Sequence, residues 1–123
     1  MRAALRRFGG HEVNTTGDGF LATFDSPTLA IRGARAIVDA ATDAGVVVRA
    51  GVHTGEVERR GDDVAGIAVH LAARVGAVAE ANQVWVSRTV RDLVTGAGFS
   101  FEDRGEHELK GIPEPWQLYS LMD

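Results

Sequence analysis

The sequence contains no cysteine among its 123 residues. A disulfide framework, a catalytic thiolate and a zinc site with cysteine ligands are therefore excluded, and the absence is compatible with a reducing compartment. The chain also lacks excess positive charge, because 13 basic residues face 17 acidic ones and the formal net charge is −4. The composition thus gives no electrostatic reason to expect binding to nucleic acid or to an anionic membrane surface. Any phosphate-binding site has to be local.

Long apolar runs are missing from the start of the chain, where 1–7 reads MRAALRR. No signal peptide or membrane span is predicted there, so a cytoplasmic location is the default expectation. A composition of 45% hydrophobic and 24% charged residues is typical of one globular domain, which we expect to span 1–123. No internal repeat or low-complexity linker divides the sequence.

The pattern of apolar residues, glycine and proline predicts alternating strands and helices. The Asp18-Gly19 pair between two short β-type runs is a strong hairpin signal. Ser26 followed by Pro27 predicts the start of a helix, and the apolar run at 46–52 favours a central strand. The predicted elements are the end of a helix at 1–8, strands at 11–16 and 19–24, a helix at 27–45, a strand at 46–54, a charged loop at 56–62, a helix at 63–81, a strand at 83–86, a helix at 87–95, and strands at 99–109 and 116–121.

This order of elements predicts an α/β or α+β sandwich with helices packed on a mixed sheet. A ferredoxin-like core is the simplest template for it. Because the first helix has room only for its last turns, we expect the sequence to begin within an element.

Asp18 is a candidate metal ligand at the tip of the predicted hairpin. A carboxylate there can bind Mg²⁺ or Mn²⁺, since hard cations prefer oxygen ligands and keep water and substrate phosphate in the rest of their shell. Taken alone, an Asp-Gly pair is more often a turn chosen for its backbone conformation.

Three further candidates lie in or near the predicted helix at 63–81. His70 and Arg74 are four residues apart and share a helix face. A guanidinium there can neutralise charge on a transferring phosphoryl group, although a lone arginine is more often an ordinary surface residue. Asp63 can accept a hydrogen bond from an exocyclic amine, or can simply be an acid favoured by the helix dipole. Lys110, which precedes a turn, is by itself usually solvated.

Three segments together resemble the class III nucleotidyl cyclase catalytic domain. They are TGDGFLA at 16–22, GDDVAGIAVHLAARV at 61–75, and FEDRGEHELKGIPEP at 101–115, which is similar to bacterial members. The resemblance extends from about 3 to 121 and implies an elaborated ferredoxin-like fold. It also implies that Asp18 binds metal, that Asp63 helps to read adenine, that Arg74 stabilises the transition state and that Lys110 holds the terminal phosphates.

Two positions depart from the family pattern. Asn14 lies where adenylate cyclases usually have a base-reading lysine, and a neutral amide supplies no cation, so the purine preference stays open. His70 lies where an asparagine usually orients the ribose; an imidazole can still make one directed hydrogen bond, or can be a helix-packing histidine. His11, His53 and His107 lack metal-motif spacing and are expected to be structural or exposed.

The resemblance implies a homodimer with sites at the subunit interface. The family's first strand, which carries the other metal-binding aspartate, and the helix after it have no counterpart here, so Asp18 is half of a two-carboxylate clamp. The sheet edge left by that strand would invite a partner strand or a swapped dimer. Two hypotheses follow. The chain is an adenylate cyclase that converts ATP to 3′,5′-cyclic AMP and pyrophosphate with Mg²⁺ or Mn²⁺, or it is a truncated or degenerate cyclase-homology domain that binds nucleotide or dimerises without turnover.

Overall fold

The computed structural model describes residues 2–13, 20–61 and 63–122. Its elements are α1 (Arg2–Arg7), β1 (His11–Val13), β2 (Leu21–Thr23), α2 (Pro27–Asp43), β3 (Ala50–Val52), β4 (Glu58–Arg60), β5 (Asp63–Ala65), α3 (Ile67–Val78), β6 (Val84–Ser87), α4 (Arg88–Leu93), β7 (Ser100–His107) and β8 (Trp116–Met122). This mixed α/β architecture confirms the predicted fold class. Among the helices so described, none is long and apolar enough to cross a membrane.

Four strands form a mixed sheet in the order β3-β6-β8-β7. β3 and β6 are parallel, whereas β8 runs antiparallel to both of its neighbours. β1 with β2 and β4 with β5 form two separate antiparallel pairs. The strand predicted at 46–54 is reduced to β3, and in the described sheet it lies at the edge rather than at the centre. β3 itself is covered by α2 and α3, whereas Val46 and Val47 before it are 53% and 65% exposed, so the apolar run does not mark a central strand.

Each face of the four-stranded sheet has its own core, because successive residues of a strand point to opposite faces. One core is formed with α2 and α4 and contains Ile31, Val38, Val52, Val84, Val86, Val90 and Val94. The other is formed with α3 and contains Leu71, Val75, Ala79, Trp85, Leu109 and Leu118. The second core joins α3 to the segment that carries Lys110.

Helix α3 crosses β3 at a point where neither element has a side chain. A Cβ added to Gly51 would lie 2.6 Å from the carbonyl oxygen of Ala72 and 2.8 Å from the Cα of Gly76. Only a residue without a side chain lets the two backbones approach this closely. The contact fixes the height of α3 above the sheet, and with it the position of His70 and Arg74.

Two predicted elements near 60 were wrong. The segment 56–62, predicted as a charged loop, contains β4, which pairs with β5 so that Glu58 lies opposite Ala65. The helix predicted at 63–81 instead runs from Ile67 to Val78, because Asp63 belongs to β5 and Gly66 interrupts with φ of 130°. Asp63 therefore does not share a helix with His70 and Arg74. Small and β-branched residues fit both conformations, and the pairing with β4 decides between them.

Other predicted elements are confirmed. Ser26 caps α2, since its Oγ accepts a hydrogen bond from the backbone N–H of Leu29 at 3.2 Å, and Pro27 is the first helical residue. The strands of the early hairpin pair antiparallel, with His11 opposite Thr23. The predicted turn between them, at 14–19, lies outside the described residues.

Candidate functional site

His70 and Arg74 lie at the flank of the buried face of α3. Each directly precedes a buried residue, Leu71 and Val75, whose side chains belong to the core beneath the helix. Residues four apart on a helix are neighbours, about 5–6 Å between their Cβ atoms. The two polar side chains therefore lie next to each other at the boundary between core and solvent.

Arg74 has a buried atom without a partner. Its Nε is inaccessible to solvent and makes no hydrogen bond to any residue that the structure describes. A buried donor left unpaired costs about 1–3 kcal/mol, and more when it is charged. Native proteins satisfy nearly all such groups, so an exception calls for an explanation. A guanidinium with a free N–H is suited to an anion, since its planar fork matches the oxygens of phosphate.

Lys110 lies in a turn that is held against α3. The turn is closed by a hydrogen bond from the backbone N–H of Ile112 to the carbonyl oxygen of Leu109, at 3.0 Å. The side chain of Leu109 is buried in the α3 core, while Lys110 is exposed. His70 contacts the same turn, because a Cβ added to Gly111 would lie 2.9 Å from its Nε2. The fold thus brings His70 and the Lys110 turn together, although they are distant in sequence.

A solvent-open groove of about 490 Å³ follows this turn. It is lined by Glu108, Leu109, Lys110, Ile112, Pro113, Glu114 and Pro115. Lys110 is the cationic side chain of that lining, which also contains the carboxylates of Glu108 and Glu114.

Three predicted site residues are not placed by the structure. Asn14 and Asp18 lie outside the described residues. The backbone of Asp63 lies in β5, and its side chain is outside the described part. Within 2–13, 20–61 and 63–122, no three His, Asp or Glu side chains form a group that could hold a metal ion. Asp18 stays the predicted metal ligand.

A hydrogen-bonded pair of a half-buried histidine and a buried serine was not predicted from the sequence. Nδ1 of His53 lies 2.7 Å from Oγ of Ser87, which is completely buried. The His53 ring also meets that of Trp116 edge to face, with centroids 5.3 Å apart. Burial lowers the pKa of His53 below its ordinary value of 6.5. The sequence contains one indication of this role, the His-Thr-Gly segment at the end of an apolar strand. The partners of His53 could not be identified, because they come from β6 and β8.

The contact between His70 and the turn can be measured by a double-mutant cycle. We expect Gly111→Ala to destabilise the fold by about 1–2 kcal/mol, since Gly111 has φ of 80° and a side chain is strained there. The cost should fall by at least about 0.5 kcal/mol in a His70→Ala background, where the obstructing ring is gone. Urea denaturation of the four proteins gives the coupling.

Gly96→Ala is the matched control for that cycle. Gly96 has a similar φ of 88°, but a Cβ there would meet nothing within 4 Å. Its cost should be the same with and without His70. If Gly111→Ala also costs the same in both backgrounds, His70 does not contact the turn.

Comparison with known proteins gives one consistent result. The family model described as the adenylate and guanylate cyclase catalytic domain matches residues 1–123. A protein of Rhizobium meliloti named putative adenylate cyclase 3 is 32% identical over 120 residues, which are 90% of this chain and 20% of that protein. An uncharacterised protein of Mycobacterium tuberculosis is 36% identical over 110 residues, covering 85% of this chain and 38% of its own length. The chain thus spans well under half of these relatives.

Solved structures show the same similarity. An adenylate/guanylate cyclase/hydrolase from Silicibacter pomeroyi superposes with a TM-score of 0.90 at 30% identity, covering 99% of this chain and 76% of that one. The catalytic core of a rhodopsin-guanylyl cyclase with converted specificity, solved with ATPαS, gives a TM-score of 0.81 at 22% identity and covers 98% and 75% of the two chains. At that identity the second comparison supports the fold alone.

Proposed function

This chain belongs to the adenylate and guanylate cyclase catalytic domain family, and we propose that it acts in converting ATP to 3′,5′-cyclic AMP and pyrophosphate. The observation that carries the proposal is the buried Nε of Arg74, which has no partner among the residues that the structure describes. It lies one helical turn from His70, which contacts the turn that bears Lys110. Two cations from separate elements, each adjoining His70 or the turn that it contacts, suit a polyphosphate, which needs several donors at once.

In the proposed reaction the 3′-oxygen of the ribose attacks the α-phosphorus. The bond from that phosphorus to the bridging oxygen breaks, pyrophosphate leaves, and the hydroxyl proton passes to solvent. Negative charge grows on the phosphoryl and leaving oxygens, and donors aimed at those oxygens lower the barrier. Arg74 would donate to the reacting phosphoryl group, and Lys110 would hold the terminal phosphates as a point charge.

The remaining predicted residues would fix the nucleoside. His70 would donate one hydrogen bond to the ribose, while Asp63 and Asn14 would read the purine edge. Asp18 would hold Mg²⁺ or Mn²⁺, because carboxylate oxygens are the ligands these ions prefer. When bound, the ion would reduce the charge of the triphosphate. Asp18 alone supplies one of the two carboxylates that a two-metal site uses.

We further propose that the working unit is a homodimer. Val57 and Ile67 are 44% and 61% exposed. They flank the β4-β5 hairpin, at whose base a Cβ on Gly66 would lie within 3.8 Å of the Cα of Val57. Neighbouring exposed apolar side chains are typical of a surface that a partner covers. A second copy of the chain, simply docked or strand-swapped, would bury them.

A second candidate function is a cyclase-homology domain that binds nucleotide or dimerises without turnover. It is favoured by the neutral Asn14 and by the contact of His70 Nε2 with the Lys110 turn, which commits part of the ring to the protein itself. In that case the protein would bind nucleotide through Arg74 and Lys110 but would not convert it, because turnover also needs a complete metal site.

The test is cyclic nucleotide production by the purified protein with Mn²⁺ and either ATP or GTP. We expect cyclic AMP from ATP in excess over cyclic GMP from GTP, and loss of product in Asp18→Ala. Circular dichroism confirms that both proteins are folded. ATP binding without product would support the second candidate, and equal product from both proteins would reveal a contaminating cyclase.

A further inference from the structure

His53 lies where three strands of the sheet meet. It directly follows β3, its Nδ1 is hydrogen-bonded to Ser87 at the end of β6, and its ring contacts Trp116 at the start of β8. We propose that His53 is a positioning residue, whose neutral ring holds the start of β8, and through it the Lys110 turn, in the geometry that binds phosphate. The inference rests on the proposed function, since it assigns His53 to the support of the predicted phosphate-binding turn.

The hydrogen bond with Ser87 bears on which nitrogen of the His53 ring carries the proton. Oγ of Ser87 accepts a hydrogen bond from the backbone N–H of Val90, at 3.4 Å, and so caps α4. The hydroxyl proton of Ser87 can then be donated to Nδ1 of His53, and we assign to the neutral ring the tautomer with its proton on Nε2. A proton added at Nδ1 would turn that atom into a donor. The buried hydroxyl would then lose its acceptor.

Trp116 connects His53 to the phosphate-binding turn. Together with Ile112 it packs against the core that contains Leu109, and Leu109 directly precedes Lys110. Both ends of the turn are thereby anchored in one cluster of side chains. A movement of the Trp116 ring would therefore change the packing that holds the Lys110 turn in place.

The surroundings of His53 offer no compensation for a positive charge. The titratable residues on the adjoining segments are Glu56 in the following loop, Arg88 after Ser87, Glu114 before Trp116, and His70 on α3. In the described structure none of these forms a hydrogen bond or ion pair with His53, and Glu56 and Arg88 are exposed. Burial accordingly lowers the pKa of His53. The unfolded chain takes up this proton near pH 6.5, so the fold loses stability as the pH falls below that value.

Nuclear magnetic resonance tests the coupling without nucleotide. We expect the indole N–H of Trp116 and the backbone amide of Gly111 to shift together between pH 8 and pH 5, with one midpoint below 6.5. His53→Asn is the matched variant, because its amide can still bond to Ser87 but does not titrate. Both proteins also carry His70→Gln, because the His70 ring contacts Gly111 and would otherwise influence that amide directly. Both signals should then be flat in the His53→Asn variant. Identical titration curves in the two proteins would overturn the proposal.

Nucleotide affinity tests the positioning role separately. We expect His53→Ala to bind ATP about 2- to 30-fold more weakly at pH 7.5, and His53→Asn to restore the affinity. Equal affinity in all three folded proteins would overturn the role. If the wild-type protein binds no ATP, the proposed function fails, while the resonance experiment still decides whether His53 controls the turn.

Discussion

Replacing Arg74 with alanine is expected to lower the rate of cyclic nucleotide formation by about 10³- to 10⁵-fold, the usual contribution of an arginine that stabilises a phosphoryl-transfer transition state. Stability should change by less than about 1 kcal/mol, because relief of the buried unpaired donor is offset by the lost packing of the arginine's alkyl chain. Because Nε of Arg74 has no partner among the described residues, its removal breaks no hydrogen bond of that atom. Turnover with Mn²⁺ and ATP, measured beside thermal unfolding, separates the two effects.

Arg88→Ala is the control for this variant. Arg88 is an exposed arginine on α4, 3.7 Å from Asp92 in an i,i+4 ion pair, and exposed pairs contribute about 0–1 kcal/mol. Its loss should leave turnover unchanged. Arg74→Lys keeps the charge but not the planar fork, so it should recover only part of the rate. If Arg74→Ala keeps its full rate, the arginine has no role in the reaction.

Gly51→Ala is expected to destabilise the fold by about 3 kcal/mol and to lower the melting temperature by roughly 10 °C. The added Cβ would lie 2.6 Å from the carbonyl oxygen of Ala72 in α3. Backbone cannot rotate out of the way as a side chain can, so the helix itself has to move. Since α3 carries Arg74, we also expect weaker ATP binding at temperatures where the variant is still folded. Thermal and urea unfolding give the stability.

Gly45→Ala separates the clash from the general effect of the substitution. Gly45 has φ of 77°, and a Cβ there would meet nothing within 4 Å. Only the backbone strain of a non-glycine residue remains, which costs about 1–2 kcal/mol. A loss from Gly51→Ala no larger than that from Gly45→Ala would show that α3 does not rest on β3.

Much of the fold follows from local patterns. Ser26 and Pro27 start α2 through capping and a fixed φ, and these depend only on neighbouring residues. The strands around Asp18-Gly19 pair as their alternation predicts. The error at Asp63 arose because Val64 and Ala65 fit a helix or a strand equally well. Pairing with β4, which places Glu58 opposite Ala65 and Arg59 opposite Val64, decides that case.

The candidate site, too, has a part that the sequence predicts and a part that only the structure shows. Arg74 and His70 could be placed on one face from their spacing, and Lys110 could be selected because its flanking segment resembles a family. Their catalytic roles stay predictions. The partners of His53 could not be predicted, since Ser87 and Trp116 are brought to it by the order of strands in the sheet.

By itself the sequence determined the alternation of elements, the helix caps, the absence of thiol chemistry and the spacing of His70 and Arg74, because each depends on residue type and short-range geometry. The tertiary structure alone decided that Gly51 supports α3, that His70 meets the Lys110 turn and that Nε of Arg74 is buried with no partner in the described part of the chain. These three features depend on contacts between residues far apart in the chain. Such contacts exist only once both faces of the sheet are covered.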